Sequence, residues 1–149
     1  PDLQLVIAGG QGWGMTQLAA QAKAAGVDQH VILPGFIPDA DLPALYSGAA
    51  VFVFPSIYEG FGLPVLEAMS CGAPVVTSNI SSLPEIAGEA AVLVNPNEPT
   101  EICRGLNAVL ADEQKRRAMQ AAGRLQAQKF SWARTAEETY RVYQEALAR

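Results

Sequence analysis

Two acids, Glu59 and Glu67, stand on either side of the short run Gly60-Phe61-Gly62-Leu63-Pro64. The glycines allow a sharp bend and a close approach of backbone to ligand, and Pro64 suits the first turn of a helix whose unpaired amides face that bend. Amides at a helix start attract anions, phosphate above all. Carboxylates beside such a cradle conflict with phosphate unless they do different work, and a carboxylate is well suited to accept hydrogen bonds from paired hydroxyls. Vicinal diols occur on ribose and on sugars, so the ligand that offers both diols and phosphates is a nucleotide sugar. Spacing alone leaves a second reading open: Glu59 as a solvated loop residue, Glu67 as an acid favouring its helix dipole, and the glycines as a turn.

The elements that must hold these residues follow from the apolar pattern. Short apolar runs at about Leu3 to Ala8, His30 to Leu33, Ala50 to Phe54, Pro74 to Thr77 and Ala91 to Val94 end in Gly, Pro or Ser. They lack polar alternation, which predicts strands buried on both faces in a parallel sheet covered by helices. Helices are expected at about Met15 to Ala25, Ala40 to Ser47, Pro64 to Cys71 and Leu83 to Ala87, stopped by Gly26, Gly48, Gly72 and Gly88. After Pro96 only helices follow: Thr100 to Leu110, Glu113 to Gln128, and Trp132 to Leu147 with Ser131 as N-cap. In the last of these Trp132, Ala136, Tyr140, Tyr143 and Leu147 share one face, expected by default to dock on the chain's own sheet. The acid pair then lies at a strand's carboxyl end, where open parallel sheets bind ligands.

Composition narrows the classes. A chain of 149 residues, half of them apolar and 17% charged, fits one domain with a real core and is not disordered. No apolar run has the length of a membrane span, and no secretion signal is visible, so a cytoplasmic protein is expected. Residues 1–100 carry nine carboxylates against the single base Lys23, while residues 101–149 carry six against nine bases interleaved along helical faces. That distribution argues against a nucleic-acid partner. Cys71 and Cys103 have no metal-binding or redox spacing and are expected as small buried hydrophobes; no metal site is expected. The chain opens at Pro1, two residues before a predicted strand, as a piece of something longer would.

The full string around the acids resembles the donor-binding half of the group 1 family of retaining glycosyltransferases with the GT-B fold, whose hallmark is two Glu separated by seven residues. Pro55-Ser56, Glu59-Gly60-Phe61-Gly62-Leu63-Pro64, Glu67-Ala68-Met69 and Gly72-Ala73-Pro74-Val75-Val76 are similar to the family pattern. So are Leu5-Val6-Ile7-Ala8-Gly9, Gly35-Phe36-Ile37-Pro38-Asp39, Leu83-Pro84-Glu85-Ile86 and Phe130-Ser131-Trp132, so that essentially the whole chain is covered. The resemblance implies an α/β, Rossmann-like parallel sheet with helices on both faces, the C-terminal half of a GT-B fold with its first strand and helix missing. Residues 1–149 would be one nucleotide-sugar-binding domain, incomplete at its N-terminal end, with the acceptor-binding domain absent. It further implies that Glu67 holds the ribose hydroxyls and Glu59 the donor sugar near the reacting carbon. Backbone at Gly60, Phe61, Gly62 and Leu63 would meet sugar and diphosphate, and Ile37 with Asp39 would border the base.

By the same resemblance, the reaction moves a hexosyl group from a nucleoside diphosphate sugar to an acceptor hydroxyl with retention, with no cofactor and no metal. Leu83-Pro84-Glu85-Ile86-Ala87-Gly88 and the Phe130 motif resemble mannosyltransferase-like members, which points to GDP-mannose with UDP-glucose as the alternative donor. Members carry an Arg and a Lys just before the segment that begins at Leu3. Lys23 is no safe substitute, so this chain alone is expected to be inactive and to bind nucleotides weakly. The expected partners are the donor and the missing N-terminal domain, through which alone peripheral membrane association would arise. That domain would also face the aromatic stripe of the last helix if the stripe were exposed.

Rival classes are weaker. A glycosidase pair of acids needs no phosphate cradle, and sugar-nucleotide epimerases of the same fold do not normally show this Glu pair. A non-catalytic α/β binding module remains an alternative. The glycines Gly9-Gly10-Gln11-Gly12-Trp13-Gly14 do not give a dinucleotide-binding register; they read as a turn facing the donor, with Trp13 at its mouth. His30 is expected to be structural, Glu85 to sit near the cleft or at the surface, and Met69 to belong to the core.

Overall fold

The computed structural model describes residues 3–10 and 15–148. Gln11 to Gly14, and with them the proposed position of Trp13, lie outside the described residues. Two compact units divide the chain, Pro1–Leu42 and Pro43–Arg149. The class is α/β as expected, with every strand pair parallel and helices on both sides.

In the first unit β1 (Leu5–Ala8) is followed by α1 (Met15–Ala24), a short 3-10 turn (Asp28–His30) and β2 (Val31–Gly35). Leu5 pairs with Val31 and Val6 with Ile32, and the register shifts before Ala8 meets Gly35. No described residue of this unit is buried. The expectation of strands covered on both faces therefore fails here, with Leu5 47% exposed. Among the described residues no third strand joins this pair, and two strands offer too little surface to close a core. His30 ends the 3-10 turn rather than opening β2 and is exposed. Lys23 sits in the last turn of α1, also exposed.

The second unit holds the core. After α2 (Leu42–Gly48), whose first residue closes the preceding unit, come β3 (Phe52–Phe54), α3 (Leu63–Ser70), β4 (Val75–Ser78), α4 (Leu83–Ala87), β5 (Ala91–Val94), α5 (Pro99–Leu110), α6 (Glu113–Ala127) and α7 (Trp132–Leu147). The strand order is β3-β4-β5, with Val53 opposite Val76 and Val76 opposite Val92. Central β4 is buried at all four positions and meets the covered-strand expectation in full. Val76, Val94, Val109 and Met119 form a cluster against which Val53, Ile102 and Leu106 pack. Met69 is fully buried, as expected of a core residue.

Two helix-interior glycines set how closely the helices seat. A Cβ on Gly105 of α5 would lie 2.8 Å from Val94 Cγ1, so only glycine lets α5 close onto the sheet. On Gly123 of α6 a Cβ would meet Met69 at ordinary contact distances, the nearest atom at 3.4 Å. Asp112 caps α6 by accepting the Lys115 N–H at 2.9 Å, and Gln126 Nε2 donates to the buried Ile86 carbonyl at 2.9 Å.

Four expectations are corrected here. Helix α7 has its predicted bounds and its predicted cap, Ser131 Oγ accepting from Arg134 N–H at 3.1 Å, yet it buries nothing. Trp132, Tyr140, Tyr143 and Leu147 all face solvent instead of the sheet. Cys71, the C-cap of α3, is half-buried, and Cys103 lies at an exposed position of α5, so neither is in the core. Gly48 lies inside its helix without the left-handed φ that Gly26, Gly72 and Gly88 adopt. None of the described helices is long and apolar enough to cross a membrane.

Candidate functional site

The loop from Pro55 to Gly62 leaves the carboxyl end of β3 and runs into α3. Its shape is fixed by hydroxyls arriving from the β4–α4 segment. Thr77 Oγ1 donates to the Phe54 carbonyl at 2.8 Å and Ser78 Oγ to the Ser56 carbonyl at 2.5 Å. Ser81 Oγ accepts the Glu59 N–H at 3.1 Å and donates to the Glu59 carbonyl at 2.8 Å. Ser82 Oγ shares its proton between the Glu59 and Phe61 carbonyls, at 3.0 and 2.8 Å. Ser81 holds φ at +61, the left-handed region that a side chain enters only when its surroundings demand it.

The clamp has a polarity. It occupies four carbonyl oxygens and a single N–H, that of Glu59, while among the described residues the N–H groups of Gly60, Phe61, Gly62 and Leu63 donate to no protein acceptor. Gly62 turns the chain at φ +112, and a Cβ there would strike Leu83 Cδ2 at 2.7 Å. The sharp bend thus belongs to Gly62 alone. Gly60, expected to share it, has no left-handed φ; a Cβ on it would meet nothing within 4 Å, so its side of the loop is open to approach. Pro64 occupies the first turn of α3, as its lack of an N–H favours. The positive end of α3 lies at this bend beside these amides, a setting that favours negative charge.

The acids are held alike. Half-buried Glu59 accepts from Ser56 Oγ through Oε1 at 2.9 Å. Exposed Glu67, in the second turn of α3, accepts from Tyr46 Oη through Oε2 at 3.1 Å. Each keeps one oxygen with no protein donor among the described residues. Burial, the nearby Glu67 charge and the hydrogen bond to it, with a smaller contribution from Cys71, push the Tyr46 phenol up to about 12. It is therefore a protonated donor throughout the neutral range. Phe61 stacks edge-on against Phe130, ring centres 5.8 Å apart, which ties the Phe130-Ser131-Trp132 segment to the loop.

Six of the eight expected site residues, Glu59, Gly60, Phe61, Gly62, Leu63 and Glu67, thus gather at the β3–α3 junction of the second unit. Ile37, half-buried, and Asp39, exposed, lie after β2 in the first unit. Glu85 is exposed in the first turn of α4, a surface position. Sequence reasoning missed Tyr46, Thr77, Ser78, Ser81 and Ser82. Only Thr77-Ser78 left a trace: two hydroxyls ending an apolar buried run must find acceptors.

In this α/β unit an acid pair flanks a glycine bend at the carboxyl end of a parallel strand, and comparison gives the family. The family description "Glycosyl transferases group 1" matches residues 1–126, and the chain belongs to that family. It is mannosyltransferase-like in sequence. O-antigen chain mannosyltransferase B of Escherichia coli is 42% identical over 142 residues, 93% of this chain and 36% of the relative. Sucrose-phosphate synthase from Thermosynechococcus elongatus superposes with a TM-score of 0.86 at 29% identity, over 97% of this chain and 39% of that one. The fold is also that of Anabaena HepE, solved with UDP and glucose: TM-score 0.86, 23% identity, 97% of this chain and 41% of HepE. The chain therefore spans 36 to 41% of the proteins named.

Proposed function

We propose that this chain is the donor-binding part of a glycosyltransferase that moves a hexosyl group from a nucleoside diphosphate sugar, of the GDP-mannose or UDP-glucose type, to an acceptor hydroxyl with retained configuration. The observation that carries the reading is the polarity of the clamp: carbonyls tied down, while the amides from Gly60 to Leu63 and one oxygen on each flanking acid have no protein partner among the described residues. The 42% identity to a mannosyltransferase favours mannose as the sugar. The UDP and glucose held by HepE support a nucleotide-linked donor on this fold.

On this reading Glu67 accepts the ribose hydroxyls and Glu59 holds the donor sugar near the reacting carbon. The amides of Gly60, Phe61, Gly62 and Leu63 meet sugar and diphosphate, and Ile37 and Asp39 border the base. The bond from the anomeric carbon to the diphosphate breaks with its electrons leaving on the diphosphate, the acceptor oxygen bonds on the same face, and the acceptor's proton passes to the leaving diphosphate. The leaving diphosphate needs cations. We assign them to Arg and Lys side chains preceding Leu3 in a longer polypeptide, with no metal and no other cofactor, so that this chain alone is silent in catalysis. The acceptor pocket belongs to an N-terminal domain of the same cytoplasmic enzyme, and the exposed stripe of α7 faces that domain.

Calorimetric titration of the longer polypeptide with GDP-mannose, UDP-glucose and UDP-N-acetylglucosamine tests this. One donor binds, and Glu67→Ala weakens it about 10- to 100-fold, the loss of one or two hydrogen bonds to a charged acceptor. Absence of binding by all three, or an unchanged affinity in the variant, overturns the reading.

A further inference from the structure

We propose that Tyr46 is a positioning residue for nucleotide recognition: its phenol fixes the Glu67 carboxylate so that the remaining oxygen meets the ribose diol. The inference rests on the function proposed above and extends it to a residue outside the acid–glycine string.

Glu67 is exposed on α3, and a solvated glutamate samples several rotamers at little cost. An acceptor that must meet two hydroxyls gains from being held in one of them. Tyr46 is built to do so. It lies 21 positions earlier in the chain, on α2, and is itself only 9% exposed. Its ring stands edge-on to Phe52 of β3 at a centroid distance of 5.2 Å, and Phe52 in turn stacks on Phe54 at 6.0 Å. The phenol is thereby anchored to the strand that feeds the site loop, and its hydroxyl reaches Glu67 Oε2 at 3.1 Å. Because the phenol donates to one oxygen only, Oε1 remains available to a ligand. The phenol donates to the single acid of α3.

The test is titration of the longer polypeptide with GDP and UDP and with their 2′,3′-dideoxy counterparts, for the parent, Tyr46→Phe and Glu67→Ala. The parent prefers the ribose form. Tyr46→Phe keeps the ring on Phe52 and lowers that preference about 3- to 10-fold, the worth of one hydrogen bond, while affinity for the dideoxy form stays unchanged. The ratio of the two affinities does not depend on how much of a variant is folded, so reduced stability cannot mimic the result. If Glu67→Ala abolishes the preference and Tyr46→Phe retains it, or if Tyr46→Phe weakens both forms equally, the positioning role is overturned and the ribose role of Glu67 stands. If Glu67→Ala retains the preference, the ribose role itself fails and the role of Tyr46 falls with it.

Discussion

Helices α6 and α7 follow one another, each capped by a side chain of the expected type, each with one apolar face, and they end in opposite situations. α6 buries Met119, Gly123, Gln126 and Ala127. α7 buries nothing, although its stripe holds Trp132, Tyr140 and Tyr143. Amphipathic periodicity states that a face needs a partner; it does not state where the partner is. The same lesson separates β4 from β1, both apolar runs, one covered at every position and one open.

Substitutions sharpen that contrast. The largest effect belongs to the α3–α6 contact: Met69→Ala empties a fully buried site and lowers unfolding free energy by about 2 to 5 kcal/mol, measured by denaturant titration. Gly105→Ala costs about 1 to 3 kcal/mol because the added methyl strikes Val94, whereas Gly123→Ala gains up to about 1 kcal/mol from reduced freedom of the unfolded chain. Equal effects at the two glycines would break the account of helix seating. At α7, Tyr140→Gln with Tyr143→Gln in this chain shifts stability by no more than about 0.5 kcal/mol; a larger loss would mean that the stripe packs within the chain after all. The exposed Arg134–Glu138 pair on the same helix adds little to either side of this comparison.

A pH effect separates the packed side further. The Tyr46 phenol binds its proton more tightly in the folded chain than in the unfolded one. Its contribution to stability is complete below the ordinary phenol range near 10 and is lost as pH rises towards about 12. Alkaline denaturation compared between the parent chain and Tyr46→Phe reads this directly: the variant lacks that part of the decline.

Much of the frame was legible in the residues. The bounds of α4, β5 and α7 coincide with those expected from apolar period and caps, and the α/β class follows from unbroken apolar runs. The acid pair and the Gly62 bend were legible because their chemistry is local in sequence. Burial was not, since coverage of β1 and α7 depends on what lies beside them. Neither were Tyr46, Ser81 and Ser82, which act on groups 21 to 23 positions away. A hydroxyl that serves a distant carbonyl leaves no periodic mark. Gly60 was misread for a related reason: the need for glycine at a bend is a property of one torsion angle, and the neighbouring Gly62 supplies it.

The serines grip the site loop by its main chain and leave Ile57 and Tyr58 pointing outward, 62% and 82% exposed. Frame and fingertips are therefore separable. Side chains at these two positions can be exchanged without altering the path of the peptide, so a library confined to residues 57 and 58 would vary what the loop meets while its geometry, and the stability that depends on it, stays constant.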